Sequence, residues 1–475
     1  MSKTYDLAVI GGGSGGLVMA AVAAELGFNV VLFEGHKMGG DCLNYGCVPS
    51  KSLIAAAEVA ENARTASKFG IHSNVDVNFK EVMAHVHHVI AKIEPHDSVE
   101  RFEKLGVHVV QHQATFVGKH TLKANEETFT AKRIVIATGS SATIPPILGL
   151  EEVDYLTNET IFNLKELPKH LMIIGAGPIG CEMAQAFSRL GSKVTLIQNG
   201  SQILTNSDPE LTTFIENRFK DEGITLIKST QIKRVSQQKN NLTLSLSKNN
   251  KKQELKGSHL LIAVGRTPNL KSLKLHNANI AHTAKGITVK GNMQTSRKHV
   301  YAIGDCASKY QFTHMAGYQA GLVIGRTLFG NILMKTKEDA IPWVTYTDPE
   351  VAEVGLKEED AIKKYGEKHV QVIRVPYADI DRARATKNTE GLLKVILYKG
   401  SAVGAGIVGH NAGELLSFWA YMVTHKRHVK DLNSVIIPYP TMSEIHKRVA
   451  TTYYKPIFYS SKIKRISRLL FKILG

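Results

Sequence analysis

Short, unbroken apolar runs that end in glycine mark the first half of the chain. Leu7-Ala8-Val9-Ile10 is continuous rather than alternating, the pattern of a strand buried on both faces. It runs into Gly11-Gly12-Gly13-Ser14-Gly15-Gly16 and then an alanine-rich stretch that predicts a helix, followed by a strand from Asn29 to Phe33. The same order returns at Leu171 to Ile174, with Gly175-Ala176-Gly177-Pro178-Ile179-Gly180, a helix, and a strand from Lys193 to Ile197. Strand, glycine loop, helix and strand, given twice, predict two α/β units.

A different pattern closes the chain. Ile463, Ile466, Leu469, Leu470, Ile473 and Leu474 recur at helical spacing, while Lys462, Lys464, Arg465, Arg468 and Lys472 cover much of the remainder. Residues 455–475 therefore predict a basic amphipathic tail, either docked on its own protein or in peripheral contact with an anionic membrane.

Composition narrows the class. At ~100–200 residues per domain, a chain of 475 residues should hold about three domains. Its 43% apolar and 21% charged residues are those of a globular protein that folds throughout. The lead-in from Met1 through Lys3 leaves no room for a signal or transit peptide, and no apolar run approaches the ~18 residues of a membrane span. A cytoplasmic enzyme, or one held at the inner membrane surface by its tail, is the expected location. Four cysteines are too few for a structural disulfide framework in so long a chain. Any disulfide here is expected to be transient and catalytic. The net charge of +17 suits an acidic partner, a phosphorylated cofactor or simple solvated lysine; nucleic acid is not expected.

The glycine loops carry specific chemistry. Gly11 permits a tight turn, Gly13 lets backbone approach a pyrophosphate, and Gly16 allows close packing of helix on strand. Glu34, at the end of the next strand, can accept hydrogen bonds from a ribose diol. Gly175, Gly177 and Gly180 repeat the spacing, and Gln198 stands 23 positions after Gly175, as Glu34 stands 23 after Gly11. Two nucleotide sites are expected. Gln198 removes the charge that would repel a 2′-phosphate, but no arginine follows to clamp one, so NADH and NADPH both remain open.

Directly after the first unit comes Gly39-Gly40-Asp41-Cys42-Leu43-Asn44-Tyr45-Gly46-Cys47-Val48-Pro49-Ser50-Lys51. Two cysteines with four residues between them can accept two electrons as a disulfide and pass them on by thiol exchange. On a helix from Cys47 to Lys51, Cys47 and Lys51 at i and i+4 would share a face, and the ammonium would favour the Cys47 thiolate. Ordinary buried cysteines are the plainer alternative, and Cys181 and Cys306, which lack a cysteine at a telling spacing, are expected to be core residues.

The whole segment resembles the redox motif of the flavin-dependent pyridine nucleotide-disulfide oxidoreductases, and the resemblance runs from about Tyr5 to about Ala450. Ile134 to Gly139 and Leu261 to Asn269 resemble that family's crossing segments, and Val300-Tyr301-Ala302-Ile303-Gly304-Asp305 its second flavin-contacting strand. The resemblance implies two Rossmann-like nucleotide-binding domains, for FAD (1–148 with 265–336) and for NAD(P) (149–264), and an α+β dimerisation domain (340–454) that forms a homodimer. It implies that Lys51, Thr138, Gly139 and Asp305 contact FAD, with Asp305 on the ribityl chain. Gly265 and Gln198 would serve NAD(P). Glu182 matches the glutamate that pairs with the lysine near the flavin, here Lys51, although an early-helix carboxylate is also favoured by the helix dipole. Cys47 would face the flavin and Cys42 the substrate, a small-molecule electron acceptor. No metal site is expected.

One position departs from many disulfide reductases, which place a histidine five residues before a glutamate to shuttle protons. This chain reads Tyr439-Pro440-Thr441-Met442-Ser443-Glu444. A phenol with a reference pKa near ~10 moves protons poorly at neutral pH, which disfavours dihydrolipoamide and glutathione. His446 is two residues from Glu444 and falls on another helix face, so a surface or packing role is expected. Mercuric reductase-like members also carry the tyrosine. They differ from this chain in a C-terminal cysteine pair and, in many, a metal-binding domain ahead of the position of Tyr5. Hg(II) or another thiol-reactive acceptor, reached through Cys42 and Cys47, is the leading expectation, with a quinone-type or dihydrolipoamide dehydrogenase-like reductase as alternatives. A basic scaffold without turnover is the contrasting class.

Overall fold

The computed structural model describes residues 4–239, 241–248 and 251–474, so Met1 to Lys3 at the head of the chain and Gly475 at the end of the tail lie outside the described residues. Its contacts group into two compact units: residues 1–201 with 224–336, and residues 202–223 with 337–475.

The first unit is built on parallel sheets. The strand Thr4–Ile10 pairs in parallel with Val30–Phe33 on one side and with Glu127–Ile136 on the other. Val107–Val110 extends the sheet beyond Val30–Phe33, and Val300–Ala302 pairs in parallel with Glu127–Ile136. Successive residues of the first strand enter opposite cores: Ala8 and Ile10 pack with Phe33 and Ile134, whereas Leu7 and Val9 pack with Leu17 and Ala20 of the helix Ser14–Glu25. This double burial is why the run is apolar without alternation. A second, four-stranded parallel sheet has the order Thr225–Ile227, Lys193–Ile197, His170–Ile174, His259–Ile262. The helix Pro178–Arg189 follows its glycine loop. A three-stranded antiparallel sheet, Gln231–Gln238, Asn241–Lys248 and Lys251–Gly257, covers it with Leu242, Leu244 and Leu246. Ser140–Ala142 pairs antiparallel with Arg266–Pro268, joining the two crossing segments.

The second unit is an antiparallel five-stranded sheet in the order Pro342–Thr345, Glu350–Gly355, Ser401–Gly409, Leu392–Tyr398, Val370–Pro376. The helix Ala412–Thr424 lies on it and buries Trp419 completely. Lys394, buried in the sheet, is held by Asp208 at 2.7 Å, Glu358 at 2.8 Å and Glu210 at 2.9 Å, which fastens the helix Pro209–Asp221 to this unit. The architecture is thus α/β with an α+β C-terminal part, as expected. Among the described residues no helix is long and apolar enough to cross a membrane.

Candidate active site

The two glycine loops are near copies. Gly11 has φ +110 and Gly175 φ +101, and a Cβ on either would lie 2.3 Å or 2.4 Å from a carbonyl oxygen, of Ala137 and Ala263 respectively. A Cβ on Gly16 would meet Gly11 O at 1.9 Å, and one on Gly180 would meet Gly175 O at 1.9 Å. The third glycine therefore clears the loop's own first carbonyl as well as the strand. The middle glycines differ: nothing lies within 4 Å of a Cβ on Gly177, and Gly13 faces only Gly40 Cα at 3.8 Å. The outer glycines are fixed by protein contacts, and the middle ones leave backbone open above a helix N-terminus. Such a cradle fits a dinucleotide pyrophosphate.

Glu34 braces its own loop, accepting from Gly12 N at 2.6 Å and His36 N at 2.7 Å. Each carboxylate oxygen keeps a second lone pair for a ribose hydroxyl. Gln198 repeats the geometry, accepting from Ala176 N at 3.4 Å. Thr138 donates to Asn269 O at 2.8 Å, and Asn269 donates back to Thr138 O and Gly139 O, which stitches the crossing segments together. Nothing would contact a Cβ on Gly139 or Gly265 within 4 Å, so open space lies over both.

Asp305 lies at the end of the strand Val300–Ala302, where Ser140 Oγ donates to it at 2.6 Å. Burial pushes its carboxyl up, opposed by that hydrogen bond and by Arg266. Arg266 Nη2 also bonds Asp41 at 3.0 Å, and its Nε donates to Ser140 Oγ at 2.8 Å. Asp41 and Arg266 lie inside the sequence motifs and Ser140 directly follows one, but their spacing alone marks none of the three as a site residue. Arg266 next to Gly265 was the available signal; its partners are set by the fold.

Cys42 sits in the short helix Gly40–Asn44, and Cys47 opens the 18-residue helix Cys47–Arg64. Both are free thiols and hydrogen-bond to each other. The bond divides them. Cys47 is lowered to about 6, first by the Cys42 hydrogen bond and then, against burial, by Thr313 and Lys51. Cys42 is pushed well above the usual thiol range by the same hydrogen bond and by burial. A Cys42 thiol donating to a Cys47 thiolate is the resulting state at neutral pH. The helix N-terminus at Cys47 favours the same assignment. Thr313 Oγ1, 3.3 Å from Cys47 Sγ, is a neighbour that spacing in the sequence did not reveal.

Lys51 lies one turn beyond Cys47, and its Nζ donates to Glu182 Oε2 at 2.8 Å. Glu182 is 5% exposed in the helix Pro178–Arg189, so the ammonium compensates a carboxylate withdrawn from water. Cys181 and Cys306 are buried. Burial raises the Cys306 thiol to about 11, which leaves it inert at neutral pH.

In the second unit Tyr439 is exposed, and its hydroxyl donates to Asp381 Oδ2 at 3.3 Å. The charge of Asp381, then that hydrogen bond, raise the phenol above its ordinary value. Glu444 opens the helix Glu444–Phe458, and among the described residues its buried Oε2 has no hydrogen-bond partner. His446 is buried, accepts from Trp419 Nε1 at 3.0 Å and stacks on Phe418. Desolvation lowers it to about 4, so it packs as a neutral ring rather than lying on the surface.

Residues 5–320 match the pyridine nucleotide-disulphide oxidoreductase model and residues 341–450 the dimerisation domain of the same group. The chain belongs to that family. It is an FAD- and NAD(P)H-dependent flavoprotein oxidoreductase, and the dimerisation domain supports a homodimer. A mercuric reductase of Bacillus cereus is 33% identical over 457 residues, spanning 95% of this chain and 72% of that protein. A dihydrolipoyl dehydrogenase of Bacillus subtilis (strain 168) is 30% identical over 457 residues, 94% of this chain and 98% of that protein. Among solved structures, the HOCl-induced flavoprotein disulfide reductase RclA from Escherichia coli matches with a TM-score of 0.85 and 27% identity, over 94% of this chain and 99% of that one. Membership in this family sets aside the scaffold without turnover.

Proposed function

We propose that this oxidoreductase passes electrons from NAD(P)H to the Cys42–Cys47 disulfide and from there to a small thiol-reactive acceptor, Hg(II) or an activated disulfide. The asymmetric thiol–thiolate pair carries the proposal. FAD, when bound, supplies the two-electron relay between nicotinamide and disulfide. Gly11, Gly13, Gly16, Glu34, Thr138, Gly139 and Asp305 would hold it, and Gly175, Gly177, Gly180, Gln198 and Gly265 would hold the nicotinamide nucleotide. Opening the disulfide consumes two electrons and one proton and yields the Cys47 thiolate and the Cys42 thiol. Lys51, oriented by Glu182, holds positive charge beside the thiolate. Cys42 attacks or ligates the acceptor as its proton passes along their shared hydrogen bond to the Cys47 thiolate.

Tyr439 and Glu444 of the partner subunit would complete the acceptor site. The phenol, held protonated by Asp381, donates a hydrogen bond but does not shuttle protons at neutral pH. That favours soft metals and thiol-reactive compounds over dihydrolipoamide, whose turnover needs a base. The three-domain division at 148, 264 and 340 belongs to the same proposal, as does a cytoplasmic location with peripheral contact at the inner membrane surface through the tail.

The test is anaerobic reduction of the holoenzyme by NADH or NADPH, followed by Hg(II), a small aromatic disulfide or a quinone. Reoxidation by Hg(II) or the disulfide, lost in Cys42→Ser, is expected. Reoxidation by the quinone alone, unchanged in Cys42→Ser, would reject the dithiol route in favour of direct flavin-to-quinone transfer.

A further inference from the structure

The helix Ser461–Leu474 lies beyond residue 450, where the match to the family's dimerisation domain ends. None of its residues is buried, although half of them are aliphatic or aromatic. Leu470 is 49% exposed, Ile473 68% and Leu474 83%. At about 100° per residue, Ile463, Ile466, Leu470, Ile473 and Leu474 fall within an arc of about 100°. Lys464, Arg465, Arg468 and Lys472 gather on the opposite side. Among the described residues nothing buries this apolar stripe.

Charge selects the occupant. After Glu444 the chain carries eight lysines and arginines and no carboxylate, a large share of the net +17. A second copy of the tail would bring like charges together along the whole helix, whereas an anionic surface neutralises them. At about 21 Å, fourteen helical residues are too short to span a hydrocarbon core of about 30 Å. They are long enough to lie within its interface. Phe458 and Tyr459, 58% and 67% exposed just before the helix, supply the aromatic side chains that favour that depth.

We infer that Ser461–Leu474 is an in-plane anchor for anionic phospholipid surfaces: its aliphatic stripe enters the headgroup–acyl boundary and its basic side chains pair with lipid phosphates. The inference rests on the peripheral membrane location proposed above and not on the redox chemistry. It makes the residues of the stripe, and not charge alone, the determinant of attachment.

Flotation of the full-length holoenzyme with phosphatidylcholine vesicles, with and without phosphatidylglycerol, tests it. Co-flotation with the anionic vesicles, weakened by salt and nearly absent with the neutral ones, is expected. Ile466→Glu with Leu470→Glu should abolish it, and Arg465→Gln with Arg468→Gln should weaken it roughly tenfold or more. NAD(P)H-dependent flavin bleaching, measured on the same samples, should be unchanged in both variants; its absence from all samples would count against the redox proposal and leave the anchor standing. Equal partitioning of the intact protein and a chain ending at Ser460 would overturn the anchor. So would a drop in sedimentation mass on Ile466→Glu with Leu470→Glu without vesicle binding by the parent, which would assign the stripe to a second copy.

Discussion

The glycine-loop end of the electron path and the Tyr439 end are built to different standards. Around Cys47 the charges named have partners: the thiolate the Cys42 thiol, Lys51 Glu182, and Arg266 both Asp41 and Asp305. Around Tyr439 a phenol leans on a carboxylate while, among the described residues, a buried oxygen of Glu444 has no hydrogen-bond partner. At Glu444 no imidazole stands five residues earlier; Tyr439 holds that position.

The largest effect should come from breaking the well-built end. Cys47→Ser is expected to cut acceptor turnover by about 10³-fold or more while flavin reduction by NAD(P)H in a stopped-flow mixer persists. Loss of both steps together would mean that the thiolate also supports flavin binding. Lys51→Met takes the ammonium away from the buried carboxylate of Glu182. Because Lys51 is 37% exposed, water relieves part of the cost, and a loss of about 2 kcal/mol in urea unfolding of the holoenzyme is expected.

Repairing the other end should sharpen the contrast. Tyr439→His places an imidazole five residues before Glu444, and dihydrolipoamide oxidation should rise roughly tenfold or more. No gain would show that proton transfer is not what limits that substrate.

The thiolate itself predicts a pH profile. With Cys47 lowered to about 6, iodoacetamide labelling of the reduced enzyme should climb through pH 6 and level off well below the ordinary thiol range. The sign follows from the direction of the shift. A depressed pKa favours the folded state above the unfolded thiol's pKa, and that contribution is lost as pH falls through 6. Thr313→Val removes one donor to the thiolate and should move the labelling inflection upward, slowing labelling at pH 6 severalfold.

Much of this was legible in the sequence because the chemistry lies in short, local patterns. Gly11, Gly13 and Gly16 perform distinct tasks within one turn, and Cys47 and Lys51 are one helical turn apart. The Lys51–Glu182 contact was reachable only through family resemblance, since 131 residues separate the partners. Thr313 beside Cys47, and Arg266 bridging Asp41 and Ser140, depend on how distant segments meet, which no periodicity encodes. The alternation of Leu242, Leu244 and Leu246 with polar residues was a readable strand signal that went undrawn. The tail's apolar spacing predicts one segment from Lys455 onward; Lys455 to Phe458 instead continue the preceding helix, and the separate helix begins at Ser461.

The most direct test of the central claim is to add NAD(P)H anaerobically to the oxidised holoenzyme, quench it into denaturant with iodoacetamide, so that both thiols are open to alkylation, and count labels by peptide mass. Both Cys42 and Cys47 should become labelled only after the nucleotide is added. Flavin that bleaches while neither cysteine gains a label would contradict the claim that electrons pass through this pair.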